Sequence, residues 1–275
     1  MQCTFPASPR LRFAIEAAAR CLMEEDLRAF PIQPMEIIRR RGWQLRTYAQ
    51  IAARYDELAT TADVADLFGS RDAVSSVRLE HGRMAHCLIC YNDQTVLPER
   101  LSFSLAHEIG HILLGHFAFG QPDGLPEHQA RLLDAEANAF AANLVAPAAI
   151  VSLLRKPRQP QDRLLFGLSK AGWQTRLDTL AQDAPRFSPE EVARLRQQFT
   201  AFLYRRQCTA CGAIFLHLER CPACGYDHLR WAPAEERASA FPWTAESWRV
   251  YAADHDRPEN PLADDIYWPC DDRGL

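Results

Sequence analysis

Residues 101–116 read LSFSLAHEIGHILLGH, and this stretch decides what kind of fold the chain adopts. Apolar residues recur every three or four positions, at Leu105, Ile109 and Ile112, which predicts an amphipathic helix with one buried side. The pentapeptide HEIGH lies inside it at residues 107–111. A step of four residues turns an α-helix by about 400°, so its two imidazoles share one face, one turn apart. We therefore predict a helix that offers two nitrogen ligands, His107 and His111, to one zinc ion.

Glu108 lies beside that face, where its carboxylate can accept a proton from the water that attacks a peptide carbonyl. A catalytic zinc ion takes three protein ligands, so a third ligand must come from elsewhere in the chain. The longer metzincin motif needs Gly at position 114 and His at position 117, where this chain has Leu114 and Phe117. His116 stands about 140° around the helix from His111, so we expect a surface or packing residue there rather than a ligand.

The third ligand is predicted within residues 134–141, DAEANAFA, in a second helical pattern that covers residues 132–145. We expect Glu136 to be this ligand, because an acid among small and apolar residues needs a partner. Asp134 is the alternative ligand. Asn138 or Asp134 could instead hydrogen-bond a ligand histidine, and the spacing leaves these positions open.

The remaining pattern predicts further helices and a small sheet. Helices are expected at four places: residues 11–30, 34–41, a segment from near Ser169, and 188–204. Strands are expected at three places: residues 43–48, 73–79 and 83–91, the last two joined by a turn at 80–82. The fold class predicted is therefore α+β.

Three groups of residues, taken together, are far more specific than the HEIGH pentapeptide. They are Phe30-Pro31-Ile32 with Glu36-Ile37, Gly42-Trp43 and Tyr48; Tyr91-Asn92 with Arg100 through His111; and Glu136 through Ala141 with Pro147. In these residues the chain resembles the ImmA/IrrE-type metallo-endopeptidases, over about residues 11–180. The resemblance implies a zincin-like fold of helices with a small β-sheet, in which His107, His111 and Glu136 bind zinc and Glu108 is the base.

The resemblance also implies a function. Members of this family act by cutting a transcriptional repressor, often one encoded beside them, so a helix-turn-helix repressor is the expected protein substrate. A toxin–antitoxin or phage-immunity setting is an alternative. In such folds a strand beside the active-site helix commonly accepts the substrate as an added strand, and residues 85–91 are the candidate here.

Two Cys-x-x-Cys pairs nearer the C-terminus predict a second zinc site. Cys208 and Cys211 are separated by nine residues from Cys221 and Cys224, and a glycine follows each pair. Four thiolates complete a tetrahedral shell and leave no position for water, so this ion would be structural. We therefore expect two zinc ions, one catalytic and one structural in a small four-cysteine zinc ribbon. The ribbon could contact DNA or protein, and the alternative function is a non-catalytic regulator that binds DNA or a repressor through it.

A third pair of this spacing, Cys87 and Cys90, falls in a predicted strand. Residues three apart on a strand face opposite sides of the sheet. We therefore expect buried thiols at these two positions rather than a metal or redox pair.

The composition excludes several classes of protein. The 275 residues are 48% hydrophobic and 24% charged with a net charge of -4, which is near the globular average and provides no overall positive field for nucleic acid. The most apolar long stretch, residues 139–154, is shorter than a membrane span. The first residues do not resemble a signal peptide. The expectation is a cytoplasmic protein with no membrane contact.

Three parts are expected along the chain. Residues 1–200 would form the zincin-like metallopeptidase domain with its helical extension, residues 201–231 the zinc ribbon, and residues 232–275 an acidic, aromatic tail. The tail holds ten acids against four arginines. One hypothesis is that it packs back on the peptidase domain and limits access.

Overall fold

The computed structural model describes residues 5–55, 57–80, 83–94, 97–120, 124–154, 162–216, 220–226 and 229–231. The tail predicted at residues 232–275 and turn residues 81 and 82 lie outside this described part. The chain divides into two compact units, one of residues 1–21 with 33–145, the other of residues 22–32 with 146–275. None of the helices among the described residues has the length and apolar character needed to cross a membrane.

The first unit combines helices with a small mixed sheet. Its helices are α1 (Leu11–Glu24, whose last three residues belong to the second unit), α2 (Pro34–Arg40), α3 (Tyr48–Ala52), α4 (Thr61–Phe68), α5 (Pro98–Leu113) and α6 (Glu127–Val145). Its strands are β1 (Gln44–Thr47), β2 (Ala73–Glu80) and β3 (Arg83–Tyr91). Helices and a small sheet occur together, so the α+β prediction is confirmed.

The sheet has the order β1-β3-β2, with β3 in the centre. β3 runs parallel to β1, where Leu45 pairs with Ile89, and antiparallel to β2, where Ser75 pairs with Ile89. The prediction that residues 85–91 accept an added strand is therefore wrong for residues 88–91, where β3 pairs with β1 on one side and with β2 on the other. Among the described strands β2 forms one edge of this sheet, and it is β2 that packs most extensively against α5.

Helices α5 and α6 approach each other closely at Gly110. A Cβ atom placed on Gly110 would lie 3.2 Å from the carbonyl oxygen of Ala137 and 3.0 Å from the ring of Phe140. Ala137, Phe140 and Ala141 are fully buried in α6. The small residues within 134–141 of the second predicted helix thus allow the backbones of α5 and α6 to come close together.

We expect Gly110→Ala to lower the free energy of unfolding of the metal-free protein by about 1 kcal/mol. Alanine favours a helix over glycine by about 0.5–1 kcal/mol, but overpacking costs about 1–3 kcal/mol. The atoms that would be met include backbone of Ala137, which cannot move without shifting α6. Urea denaturation measures the change, and Gly110→Val should lower stability further. A gain in stability with alanine would contradict the close approach.

The second unit is helical and ends in a small antiparallel sheet. Its helices are α7 (Ala148–Leu153), α8 (Arg163–Phe166), α9 (Lys170–Asp183), α10 (Pro189–Gln198) and α11 (Thr200–Tyr204). Its strands are β4 (Arg205–Cys208), β5 (Ile214–Leu216) and β6 (Leu229–Trp231), in the order β5-β4-β6. The Phe30 ring packs on Phe166 and Phe199, with ring centroids 4.9 Å and 4.6 Å away. In α9, Trp173 and Arg176 are buried, so this side of the helix is a packing surface.

Candidate metal centre

Three polar atoms from α5 and α6 meet in the first unit. The Nε2 atoms of His107 and His111 lie 2.9 Å apart. The Oδ1 atom of Asp134 lies 3.4 Å from Nε2 of His111 and 3.9 Å from Nε2 of His107. Two of the three side chains come from one turn of α5, as the HEIGH spacing predicts, and the third comes from the facing part of α6.

The hydrogen bonds of His107 determine which of its nitrogens faces this group. Its Nδ1 lies 2.8 Å from Oδ1 of Asn138, which can only accept, so Nδ1–H of His107 donates. Burial and the nearby His111 lower the pKa of His107, which favours the neutral ring. The unprotonated Nε2 of His107 therefore presents its lone pair to His111 and Asp134.

His111 is oriented in the same sense through His116. Nε2 of His116 lies 3.1 Å from Oε2 of Glu136, and since a carboxylate accepts, Nε2–H of His116 donates. Burial lowers the pKa of His116 to about 4, against the opposing effect of Glu136, so its ring is neutral and its Nδ1 accepts. Nδ1–H of His111, 2.9 Å away, donates to that atom. Nε2 of His111 is then left with a lone pair as well.

The resulting arrangement fits a divalent cation. In these tautomers two imidazole lone pairs and a carboxylate oxygen face one another, and a cation among them would offset their mutual repulsion. The three separations range from 2.9 to 3.9 Å. Ligands of tetrahedral zinc at bond lengths of 2.0–2.1 Å are about 3.3 Å apart. Nitrogen and carboxylate donors are also the types that zinc prefers at catalytic sites.

Glu136, the third ligand predicted from the sequence, lies elsewhere. Its fully buried carboxylate accepts from the backbone N–H of Arg10 at 2.7 Å, from the Arg10 guanidinium and from His116. Burial alone would raise the pKa of Glu136, but the hydrogen bonds from His116 and Arg10 lower it to about 2. Residues two apart on a helix are about 200° apart around its axis, so only one of Asp134 and Glu136 can face His107 and His111. The structure places Asp134, the alternative ligand, in that position.

Glu108 is almost fully buried and accepts a hydrogen bond at Oε2 from the hydroxyl of Ser75 on β2. This bond joins the candidate base to the edge strand of the sheet. The sequence gives no reason to select Ser75, because a serine in an alternating strand pattern carries no signal of its own. Asn138, by contrast, was one of the two residues that the sequence nominated as a histidine partner.

The four cysteines of the predicted ribbon come together in the second unit. Sγ of Cys208 lies 3.6 Å from Sγ of Cys224, and Sγ of Cys211 lies 3.5 Å from Sγ of Cys221. Thiolates of tetrahedral zinc with bonds near 2.3 Å are about 3.8 Å apart. Glycines follow each pair in the left-handed region, at φ values of 75° and 73°, where the backbone closes each turn. The group fits a closed four-thiolate site, and backbone N–H donation from Cys211 lowers the pKa of Cys208.

Cys87 and Cys90 behave differently from these four cysteines. Both are buried free thiols on the central strand β3. Burial raises the pKa of Cys87 to about 12 and that of Cys90 to about 11. They are therefore unreactive packing residues, as the alternation of the strand predicts.

Comparison with known proteins identifies the part of the chain that carries the first of these sites. Residues 70–182 match the family model described as the IrrE N-terminal-like domain. This part of the chain is therefore similar to the ImmA/IrrE family of metallopeptidases. The matched range includes β2, β3, α5 and α6, and thus His107, Glu108, His111 and Asp134. No curated protein matches the chain, and no solved structure does.

We expect the purified chain to contain two zinc ions, one at each group of ligands that the structure brings together. Cys221→Ser should lower the content from two to one, because a neutral hydroxyl replaces one of four thiolates. Cys87→Ala is the matched control, since it removes a buried thiol that belongs to neither group, and it should keep both ions. Elemental analysis after dialysis gives the count. A full complement of zinc in Cys221→Ser would contradict a four-thiolate site.

Proposed function

We propose that this chain is a zinc-dependent endopeptidase of the ImmA/IrrE family that cleaves a transcriptional repressor or an antitoxin-like regulator. The observation that carries the proposal is the convergence of His107, His111 and Asp134, together with the buried carboxylate of the adjacent residue Glu108, whose charge acts on His107. The match of residues 70–182 to the IrrE N-terminal-like domain supports the reaction type. The helix-turn-helix repressor as substrate rests on the resemblance of the sequence.

In this proposal, His107, His111 and Asp134 hold zinc, which when bound supplies a Lewis acid for the scissile carbonyl. Glu108 holds and moves the proton. Ser75 donates to Oε2, which leaves Oε1 to accept the proton from the attacking water. The same oxygen then passes that proton to the nitrogen of the leaving amine. Asn138 and His116 keep the ligand histidines His107 and His111 in orientation by accepting hydrogen bonds from the Nδ1–H groups of these histidines.

The edge strand β2 is the proposed binding site for the substrate backbone. It is an edge strand of the sheet formed by the described residues, packs against α5, and carries the Ser75 hydroxyl that holds Glu108. An extended peptide that pairs with this edge would place its backbone next to the base. Extended segments, such as linkers between folded parts of a repressor, are therefore the preferred substrates.

Glu108→Gln should reduce cleavage of the substrate repressor by about 10²–10⁴-fold, because the amide keeps the shape of the side chain but cannot accept the proton. Zinc content should remain that of the unmodified chain. Glu127→Gln, the same change at an exposed position of α6, is the matched control. Product formation is followed by mass spectrometry with the repressor encoded beside the gene.

The outcome also distinguishes the alternative function. If Glu108→Gln still inactivates the repressor, with no new peptide termini, the chain is a non-catalytic regulator and the endopeptidase proposal fails. DNA or repressor binding by the zinc ribbon would then be the activity to measure.

Backbone pairing with β2 can be tested on a peptide that covers the cleavage site. N-methylation removes a hydrogen-bond donor, and along an extended chain only alternate N–H groups point toward a given neighbouring strand. We expect single N-methyl substitutions near the site to raise KM at every second residue and to have little effect at the residues between. Uniform effects, or none, would contradict strand pairing.

A further inference from the structure

A partly buried series of hydrogen bonds leads from the N-terminal segment to one of the candidate ligands. Arg10 contacts Glu136 through its backbone N–H at 2.7 Å and through Nη2 at 2.7 Å. Glu136 in turn accepts from His116 at 3.1 Å, and His116 lies 2.9 Å from Nδ1 of His111. Four residues from three separate segments are thus connected in one line that ends at the metal centre.

The local backbone explains how His116 comes to lie beside His111. Helix α5 ends at Leu113, and Gly115 adopts a left-handed conformation with φ of 73°. After this turn the ring of His116 lies against the ring of His111, with centroids 4.9 Å apart. The sequence step of five residues would otherwise carry His116 to another side of the helix, away from His111.

This series of hydrogen bonds is costly to maintain, because Glu136 and His116 are both fully buried. An ionised carboxylate in such a place is unfavourable unless charged and hydrogen-bonding partners surround it. Arg10 provides those partners with three nitrogen atoms, Nε among them at 2.9 Å from Oε1. Packing of α6 alone would be served as well by an apolar residue at position 136, so the acid needs another explanation.

We propose that Glu136 and His116, held in place by Arg10, are positioning residues that keep the proton of His111 on Nδ1 and direct its Nε2 toward Asp134. The inference depends on the metal centre of the proposed function and extends it to residues outside the ligand set. Glu136 accepts from Nε2–H of His116, which makes Nδ1 of His116 an acceptor for Nδ1–H of His111. Without the carboxylate, His116 is free to adopt its other tautomer and to donate to Nδ1 of His111, which would move the proton of His111 onto Nε2.

The two ligand histidines are therefore held by unequal partners. Nδ1–H of His107 donates to a neutral amide, that of Asn138. Nδ1–H of His111 donates to His116, which in turn donates to the carboxylate of Glu136. This makes the imidazole of His111 the stronger electron-pair donor to a cation. Removing Glu136 should therefore weaken metal binding without abolishing it, whereas removing Asp134 takes away a ligand.

The test measures zinc binding by the full chain at a series of chelator-buffered free zinc concentrations. Asp134→Asn should remove one binding step, and this defines the step that belongs to the α5–α6 centre. Glu136→Gln should retain that step and shift its midpoint to about 10–100-fold higher free zinc. Glu127→Gln, the exposed acid of the same helix, should leave the midpoint unchanged.

His116 provides a second pair of variants, which keeps the inference testable if Glu136→Gln does not fold. His116→Phe preserves a flat ring but removes both hydrogen bonds, and it should shift the midpoint as Glu136→Gln does. His116→Gln retains one acceptor and one donor at the tip of its side chain and should restore most of the affinity. Thermal denaturation of the metal-free variants verifies that they are folded.

A spectroscopic measurement reports on the tautomer itself. In the metal-free chain labelled with ¹⁵N-histidine, ring correlations should show His111 protonated on Nδ1, and Glu136→Gln should introduce the Nε2-protonated form. Loss of the entire step in Glu136→Gln would make Glu136 a ligand and overturn the inference, as would an unchanged midpoint with an unchanged tautomer. If Asp134→Asn removes no step, the metal centre fails and the inference with it, an outcome distinct from the first two.

Discussion

The close approach of α5 and α6 at Gly110 is the constraint on which the metal centre depends. With only a hydrogen atom at this position, the backbone of α6 comes near enough that a Cβ atom would be 3.3 Å from the Cα atom of Ala137. Two pairs of residues, each four apart, then match across the helices: His111 meets Asp134, and His107 meets Asn138. In each pair, His107 with His111 and Asp134 with Asn138, the two residues are one helical turn apart. A single crossing of α5 and α6 therefore brings a carboxylate ligand beside His111 and an orienting amide beside His107.

Features encoded locally could be predicted from the sequence. The hairpin predicted at residues 73–79 and 83–91 is found at Ala73–Glu80 and Arg83–Tyr91, because alternation and turn residues act over a few positions. The same holds for the two helices of the metal centre and for the cysteine group. Helices α3 and α4 were missed, although Thr47 and Thr60 each begin a helix with a capping box, because these helices are too short to develop a periodic apolar pattern. Helix α1 ends at Glu24, before the predicted residue 30, since Asp26 turns into the left-handed region.

Features decided by distant partners could not be predicted in this way. Asp134 and Glu136 are both acids in the same helical pattern, and the choice between them depends on what each one meets. Glu136 is held by Arg10, a residue 126 positions earlier in the chain. The order of the first sheet is a similar case: β3 becomes central only because Gln44–Thr47 pairs beside it in parallel, and residues 85–91 give no sign of that partner. Periodicity assigns a residue to a face, but tertiary contacts decide what that face meets.

The contact between Glu136 and Arg10 affects how this protein can be divided into fragments for study. The boundaries of the matched domain, residues 70–182, contain every histidine and acid of the metal centre but exclude Arg10. A recombinant fragment cut at those boundaries would carry an interior anion without its counter-ion. Such a fragment would be a poor substitute for the 275-residue chain, even though it contains the whole matched domain.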